Sequence, residues 1–253
     1  MILVLAGTKD GRNLAVEIAE QGYPVIVSVI SQYASELARA ENLDVNAVTL
    51  DIFGMIELIK TRQISLVIDA SHPYAVNVSR NAMQACRDTN IKYLRYERAA
   101  IDLPQYDKMY RVFSYHDAAI KAAELGKTVF LTTGSRMLEV FKSAEQLSDH
   151  RLIVRVLPDY EVLAKCSELG FTPRDIVALQ GPFSHDFNQA MFLEYGADVI
   201  ITKNSGNVGG TDTKISAAMT LGLSIVVIDR PSIDYDKVVF TFNDILTNIQ
   251  EVL

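Results

Sequence analysis

Short runs of Val, Ile and Leu alternate along this chain with longer amphipathic stretches, beginning at the first residues. A run that is apolar at every position, rather than at every second one, needs cover on both of its faces. A parallel sheet with helices crossing back over each side provides it. In the first part of the chain the pattern predicts strands at 2–6, 24–29, 45–50, 66–69 and 92–94, with helices at 11–20, 33–41, 53–62 and 76–89. Residues 96–110, which include Pro104 and mix polar with aromatic side chains, interrupt the periodicity and mark a boundary. A second series then follows, with strands at 109–113, 128–132, 152–156, 176–179, 199–202 and 224–228 and helices at 116–125, 136–147, 160–169, 185–195 and 213–221.

The expectation is an α/β protein of two Rossmann-like, doubly wound parallel-sheet domains, 1–103 and 104–253, with a ligand cleft between them. Residues 238–240 read as one more strand and 243–253 as a closing helix, and the sequence assigns them to neither sheet. With 49% hydrophobic residues among 253, there is enough apolar material for two cores of ordinary size.

Composition removes several functions. No run approaches the roughly 18 apolar residues of a membrane span, and residues 1–6 lack the basic leader of a secretory signal, so the expected location is the cytoplasm. The two cysteines, Cys86 and Cys166, are far apart and outside any metal-binding spacing, which supports neither a disulfide framework nor a zinc site. A formal charge of −7 argues against a nucleic-acid binder. An anionic ligand would therefore have to be held by local positive groups.

Candidate sites lie where strands end. After the first strand comes Gly7-Thr8-Lys9-Asp10-Gly11, a turn into a helix whose N-terminal amides suit a pyrophosphate, although the spacing departs from the usual glycine fingerprint. The end of the second strand carries Ser28 and Ser31, either cofactor contacts or ordinary caps. It has no carboxylate to repel a 2′-phosphate, so both NADPH and NADH remain open. Ser71-His72-Pro73-Tyr74 follows the fourth strand at the edge where open α/β sheets place ligands, and His72 and Tyr74 are the candidate proton donors. A loop histidine and a proline at a helix start are also ordinary structural features.

In the second half Thr133-Gly134-Ser135, Gly181-Pro182-Phe183 and the segment 202–214 form three further strand-loop-helix junctions. The last, with Lys203, Asn204, Ser205, Gly206, Gly209, Gly210 and Lys214, combines flexible backbone with two cations, as an anion cradle does.

Taken in order, Gly7-Thr8, Asp69-Ala70-Ser71-His72-Pro73-Tyr74-Ala75, Thr132-Thr133-Gly134-Ser135, Gln180-Gly181-Pro182-Phe183-Ser184, the 202–214 loop and Arg230-Pro231 resemble the precorrin-6A reductase family over nearly the whole chain. Ala6 and Asp10 depart from residues frequent there, a glycine and a glutamate. The resemblance implies reduction of one macrocycle double bond of precorrin-6A, or of its cobalt complex, to the 6B form of cobalamin biosynthesis. It also implies a nicotinamide cofactor, NADPH or NADH, and no metal or flavin. By the same resemblance the first half holds the cofactor and the second the corrinoid precursor, through Thr133, Gly134, Ser135, Gly181, Pro182, Phe183, Lys203, Asn204, Ser205, Gly206, Gly209, Gly210 and Lys214.

Two other readings compete. A short-chain dehydrogenase would need lysine four positions after a tyrosine, and none of the 11 tyrosines has one. A nucleotide-sensing module without catalysis would bind cofactor but turn over no macrocycle. The oligomeric state is not legible.

Overall fold

The computed structural model describes residues 1–97, 102–205 and 210–252. The chain divides into two compact units, Met1–Ala99 with Pro231–Leu253, and Ala100–Arg230.

The first unit contains β1 (Ile2–Leu5), α1 (Lys9–Glu20), β2 (Val25–Ser28), α2 (Gln32–Ala40), β3 (Asp44–Asn46), α3 (Ile52–Thr61), β4 (Leu66–Asp69), α4 (Val76–Thr89) and β5 (Lys92–Tyr96). The second contains β6 (Met109–Val112), α5 (Tyr115–Leu125), β7 (Thr128–Leu131), α6 (Leu138–Lys142), β8 (Arg151–Val156), α7 (Tyr160–Glu168), β9 (Ile176–Ala178), α8 (His185–Glu194), β10 (Val199–Lys203), α9 (Thr211–Thr220) and β11 (Ser224–Ile228). The chain then returns to the first unit for β12 (Val238–Val239) and α10 (Phe242–Val252).

Both sheets have six strands, and all their pairings are parallel. The first runs β12-β5-β4-β1-β2-β3 and the second β6-β11-β10-β7-β8-β9. Each is thus doubly wound about a switch point, between β1 and β4 in one and between β7 and β10 in the other. The sixth place is filled differently: by the closing strand β12 in the first sheet, and by β6, which opens the series, in the second. Of the two placements the sequence left open for the last strand, pairing with β5 is the one found, through Val238 opposite Arg95 and Val239 opposite Tyr96. The closing segment therefore groups with the first unit and not, as expected, with a domain running to 253.

The apolar runs work as parallel-sheet strands should. Ile2 and Val4 of β1 face a core completed by Leu14 and Ile18 of α1 and Ile245 and Ile249 of α10, while Leu3 and Leu5 face Met55 and Ile59 of α3 and Ala82 and Met83 of α4. In the second unit Phe130, Ile153, Ile200 and Ile225 pack with Met191 and Phe192 of α8 and Ile215 and Ala218 of α9.

Two expected elements differ. The helix expected at 136–147 is broken into α6 and a 3₁₀ turn, Glu145–Leu147, because Ala144 adopts an extended conformation (φ −70°, ψ 116°). The expected strand 45–50 is only three residues, Asp44–Asn46, since β3 pairs with a single neighbour, β2. No helix among the described residues is long and apolar enough to cross a membrane.

Candidate functional site

In the first unit the parallel register sets Leu5, Ser28 and Asp69 in one row at the carboxyl edge of the sheet, so the loops after β1 and β4 emerge side by side at the switch point. Thr8 caps α1, its hydroxyl accepting from the Gly11 N–H at 3.1 Å, which starts the helix at Lys9, two residues before the expected start. Gly7 is exposed in the β1 loop, and a Cβ on it would stand 3.8 Å from the His72 backbone nitrogen.

Gly11 is different. It is buried, and a Cβ there would come within 2.9 Å of the Ala70 carbonyl oxygen and 3.0 Å of Ala6 Cα. It lets α1 cross close over β1 and the β4 loop, so its missing side chain is explained by packing against Ala6 and Ala70. Lys9 and Asp10 belong to the first turn of α1. Ser31 caps α2 through the Ala34 N–H at 3.1 Å, and Ser28 accepts from the Asn46 side chain at 3.3 Å. The capping alternative thus describes Ser31.

His72 Nδ1 accepts the Tyr74 backbone N–H at 3.3 Å, and the two rings are 5.5 Å apart. That bond requires an unprotonated Nδ1, so a neutral His72 carries its proton on Nε2. Pro73 is buried, and the following α4 begins at Val76, its N-cap position Ala75 supplying no side-chain cap.

Beneath this loop lies a charged network that the sequence reading did not single out. Asp69 is fully buried, and its carboxylate accepts from the Ser71 N–H at 3.0 Å, Ser79 Oγ at 2.6 Å, the Tyr93 hydroxyl at 2.7 Å and Arg95 Nη1 at 2.9 Å. Arg95, 1% exposed, also donates to Ser71 Oγ at 3.1 Å and to Glu97 at 2.7 Å, and its guanidinium sits 5.1 Å from the centre of the Tyr235 ring. Burial works against its charge, but Asp69 and Glu97 outweigh burial and raise its pKa above the ordinary value. Burial, together with Asp69, pushes the Tyr93 phenol up. A cation inside the otherwise apolar Tyr93-Leu94-Arg95 run was the available signal, since a charge in a covered strand needs a partner.

The second unit carries a pocket of about 270 Å³ over the carboxyl ends of β7, β8 and β9. Of the predicted residues, Gly134, Gly181, Pro182, Phe183 and Lys214 line it, together with Thr132, Arg155 and the apolar side chains of Val156, Leu157 and Leu179. Gly134 has φ +78°, a left-handed conformation that a side chain would strain. Thr133 and Asn204 are buried beside these loops, and Thr133 Oγ1 and Asn204 Oδ1 have no hydrogen-bond partner among the described residues. Ser135 does not line the pocket.

Ser205 is part of the fold, its hydroxyl 3.3 Å from that of Thr211, which donates to the Lys203 carbonyl at 3.1 Å. Gly210 takes φ +63° at the N-cap of α9, where a Cβ would meet Pro182 at 3.4 Å. Gly206 and Gly209 lie outside the described residues.

The pocket's electrostatics are cationic. Burial depresses the Lys214 pKa to about 7, with Arg155 and Lys203 adding to the effect, and burial with Arg136 depresses Lys203 to about 8. A lysine lowered in the folded state is charged in both states below about pH 7, where folding bears the whole cost of burying the cation. Above that pH the folded form sheds its proton while the unfolded chain keeps it until about pH 10.5, so the cost is relieved as pH rises through this window. Lys214→Met should accordingly raise the urea midpoint most near pH 6, with the gain shrinking by about pH 9. A gain independent of pH would contradict the depressed ionisation.

A family model described as precorrin-6x reductase CbiJ/CobK matches residues 1–250. The chain is 43% identical over 248 residues to a cobalt-precorrin-6A reductase from Priestia megaterium, covering 97% of this chain and 96% of that protein. It is 32% identical over 239 residues to a precorrin-6A reductase from Mycobacterium tuberculosis, covering 91% and 88%. A solved structure titled CobK precorrin-6A reductase superposes with a TM-score of 0.81 at 26% identity, covering 99% of this chain and 96% of that one.

Proposed function

From the premise that the chain belongs to the precorrin-6x reductase CbiJ/CobK family, we propose that it reduces one macrocycle double bond of a precorrin-6A-type corrinoid in cobalamin biosynthesis, with a nicotinamide as reductant. The observation that carries this reading is that the match runs through both units and not one nucleotide-binding half alone. Of the two substrate forms, the cobalt complex is better supported, because the more similar of the two relatives described above is named for it.

The first unit fits a nicotinamide dinucleotide at the β1–β4 switch point. Gly7 lies beside the His72 backbone, where an added Cβ would stand 3.8 Å from its nitrogen, Thr8 and the first turn of α1 (Lys9, Asp10) stand at the helix start, and Ser71, His72 and Pro73 follow the adjacent strand β4. The cofactor, when bound there, supplies the hydride. Ser28 leaves the end of β2 without a carboxylate that would repel a 2′-phosphate, which favours NADPH over NADH. Reduced nicotinamides are cytosolic metabolites, and the cytoplasm is the proposed compartment.

Reduction also needs a proton at the neighbouring carbon. His72, its neutral form protonated on Nε2, is the proposed donor, with Tyr74 the second candidate, and the Asp69–Arg95 pair below holds the loop that carries them. In the second unit the loops bearing Thr133, Gly134, Ser135, Gly181, Pro182, Phe183, Lys203, Asn204, Ser205, Gly210 and Lys214, with Gly206 and Gly209, are proposed to hold the substrate's carboxylates.

The direct test is anaerobic incubation with the cobalt and metal-free macrocycles, each with NADPH and NADH, following macrocycle absorbance. Failure to reduce either macrocycle would overturn the proposal. A substitution locates the cofactor: Gly7→Val should weaken nicotinamide binding at least about tenfold, some 1.4 kcal/mol, with circular dichroism unchanged. Calorimetry showing unaltered affinity in a native-like variant would move the cofactor away from β1.

A further inference from the structure

The described residues of the first unit leave five large apolar side chains exposed: Ile30, Tyr33, Val48, Phe53 and Phe240. Ile30 and Val48 stand two residues beyond the ends of β2 and β3, Phe240 follows β12 directly, and Tyr33 and Phe53 are the second residues of α2 and α3. Because every strand pairing in this sheet is parallel, all five positions fall at its carboxyl edge. Apolar side chains scattered singly over a surface are ordinary. A set gathered at the edge where open α/β sheets hold ligands is not.

Four of the five share two neighbouring strand ends. Ser28 stands opposite Asn46 in the register of β2 and β3, so Ile30 and Val48 are equivalent positions just past that pair. Tyr33 and Phe53 open helices that pack on opposite faces of the sheet: Ala38 of α2 joins the core of Leu14 and Ile18, and Met55 and Ile59 of α3 join that of Leu3 and Leu5. The set therefore runs from one helix layer, over the sheet edge, to the other. Its backbone is held in place. Ser31 caps α2, Asp51 Oδ1 caps α3 by accepting the Gly54 N–H at 2.8 Å, and Asn46 Nδ2 donates to Ser28 Oγ at 3.3 Å and to the Val48 carbonyl at 3.1 Å, tying the two loops together. Exposed apolar side chains on a fixed backbone make a preorganised surface.

No charged residue occurs at 29–33 or at 47–50, in a chain of net charge −7. Such a surface offers nothing to a phosphate or a carboxylate and suits a flat conjugated ring face. Four side chains of this kind present on the order of 300–600 Å², the size of a functional patch, and less than the about 800 Å² per partner that a stable protein interface buries. A purine base covers only part of a surface that crosses three layers, whereas a tetrapyrrole-derived macrocycle has one broad face with its acids on the rim. We propose that Ile30, Tyr33, Val48 and Phe53 form a platform on which the first unit receives one face of the corrinoid macrocycle. The proposal rests on the reading that the chain acts on such a macrocycle, and it assigns a place to the ring, where that reading places only the carboxylates.

The test uses the intact protein, the double variant Tyr33→Ser/Phe53→Ser and, as a second variant that leaves both helices untouched, Ile30→Ser/Val48→Ser. Circular dichroism and thermal unfolding establish that each folds as the wild type does. Anaerobic absorbance titration with cobalt-precorrin-6A, without nicotinamide, should show binding at least about tenfold weaker in either variant, with NADPH affinity by calorimetry within about twofold of wild type. Under turnover the loss should fall mainly on KM. Unchanged macrocycle affinity in both folded variants overturns the platform. So does a loss confined to NADPH, which would place the adenine there, or a wild-type dimer on size exclusion that the variants dissociate while keeping macrocycle affinity. A wild type that binds the macrocycle more tightly than the variants but never reduces it supports the platform and overturns the reductase reading instead.

Discussion

Arg95→Met is expected to lower stability by about 3–5 kcal/mol in urea unfolding, because it leaves Asp69 as a buried carboxylate without its cation. Methionine nearly conserves the volume of the site, so the effect is electrostatic rather than a cavity. Asp69 would keep three donors, the Ser71 N–H, Ser79 and Tyr93. Glu97 would lose its bond to Arg95 at 2.7 Å, and Ser71 Oγ its bond to Nη1 at 3.1 Å. The loop carrying His72 should therefore loosen as well, and turnover should fall in protein that is still folded. Removing both charges in Asp69→Asn/Arg95→Met should recover part of the stability, as paired deletions of buried ions do. A loss below about 1 kcal/mol in the single variant, the range of an exposed ion pair, would mean that the pair is not desolvated in solution.

His72→Ala should reduce turnover by about 10²–10⁴-fold, the usual share of a general acid, with much less change in nicotinamide affinity. Alanine also takes the acceptor away from the Tyr74 N–H, so a second variant separates the two roles. His72→Asn can offer an oxygen near the position of Nδ1 but has no ionisable proton. If the proton matters, asparagine should be nearly as slow as alanine and should flatten one limb of the pH–rate profile. Asparagine that restores both the rate and its pH dependence would make His72 a positioning residue.

The loops named from the sequence lie at carboxyl ends of parallel strands because strand-loop-helix punctuation is local and the edge at which a parallel sheet places such loops follows from its handed crossovers. What those loops rest on was not legible in the same way. Gly11 looked like a phosphate-facing glycine and is buried against Ala70, because its neighbour across the switch point is almost 60 residues away in the chain. Ser205, expected to face a ligand, has its hydroxyl 3.3 Å from that of Thr211, a contact inside the fold that no local window shows. The broken helix at 138–147 kept the apolar spacing of a continuous one, so periodicity alone could not divide it.

Periodicity by itself determined that the chain makes doubly wound parallel sheets, since uninterrupted Val, Ile and Leu runs are stable only when covered on both faces. It also determined where the strand-loop-helix junctions fall, and the ordered loop motifs indicated the family. Only the tertiary structure decided which sheet receives β12, because two apolar residues carry no information about their neighbour. It likewise decided the partners of the two buried arginines. Asp69 stands opposite Arg95 in the register of β4 and β5, 26 residues apart, and Arg155 reaches Asn188 across 33. Register and helix placement are long-range properties, absent from any local window, and they make one arginine an internally neutralised support and leave the other facing a pocket.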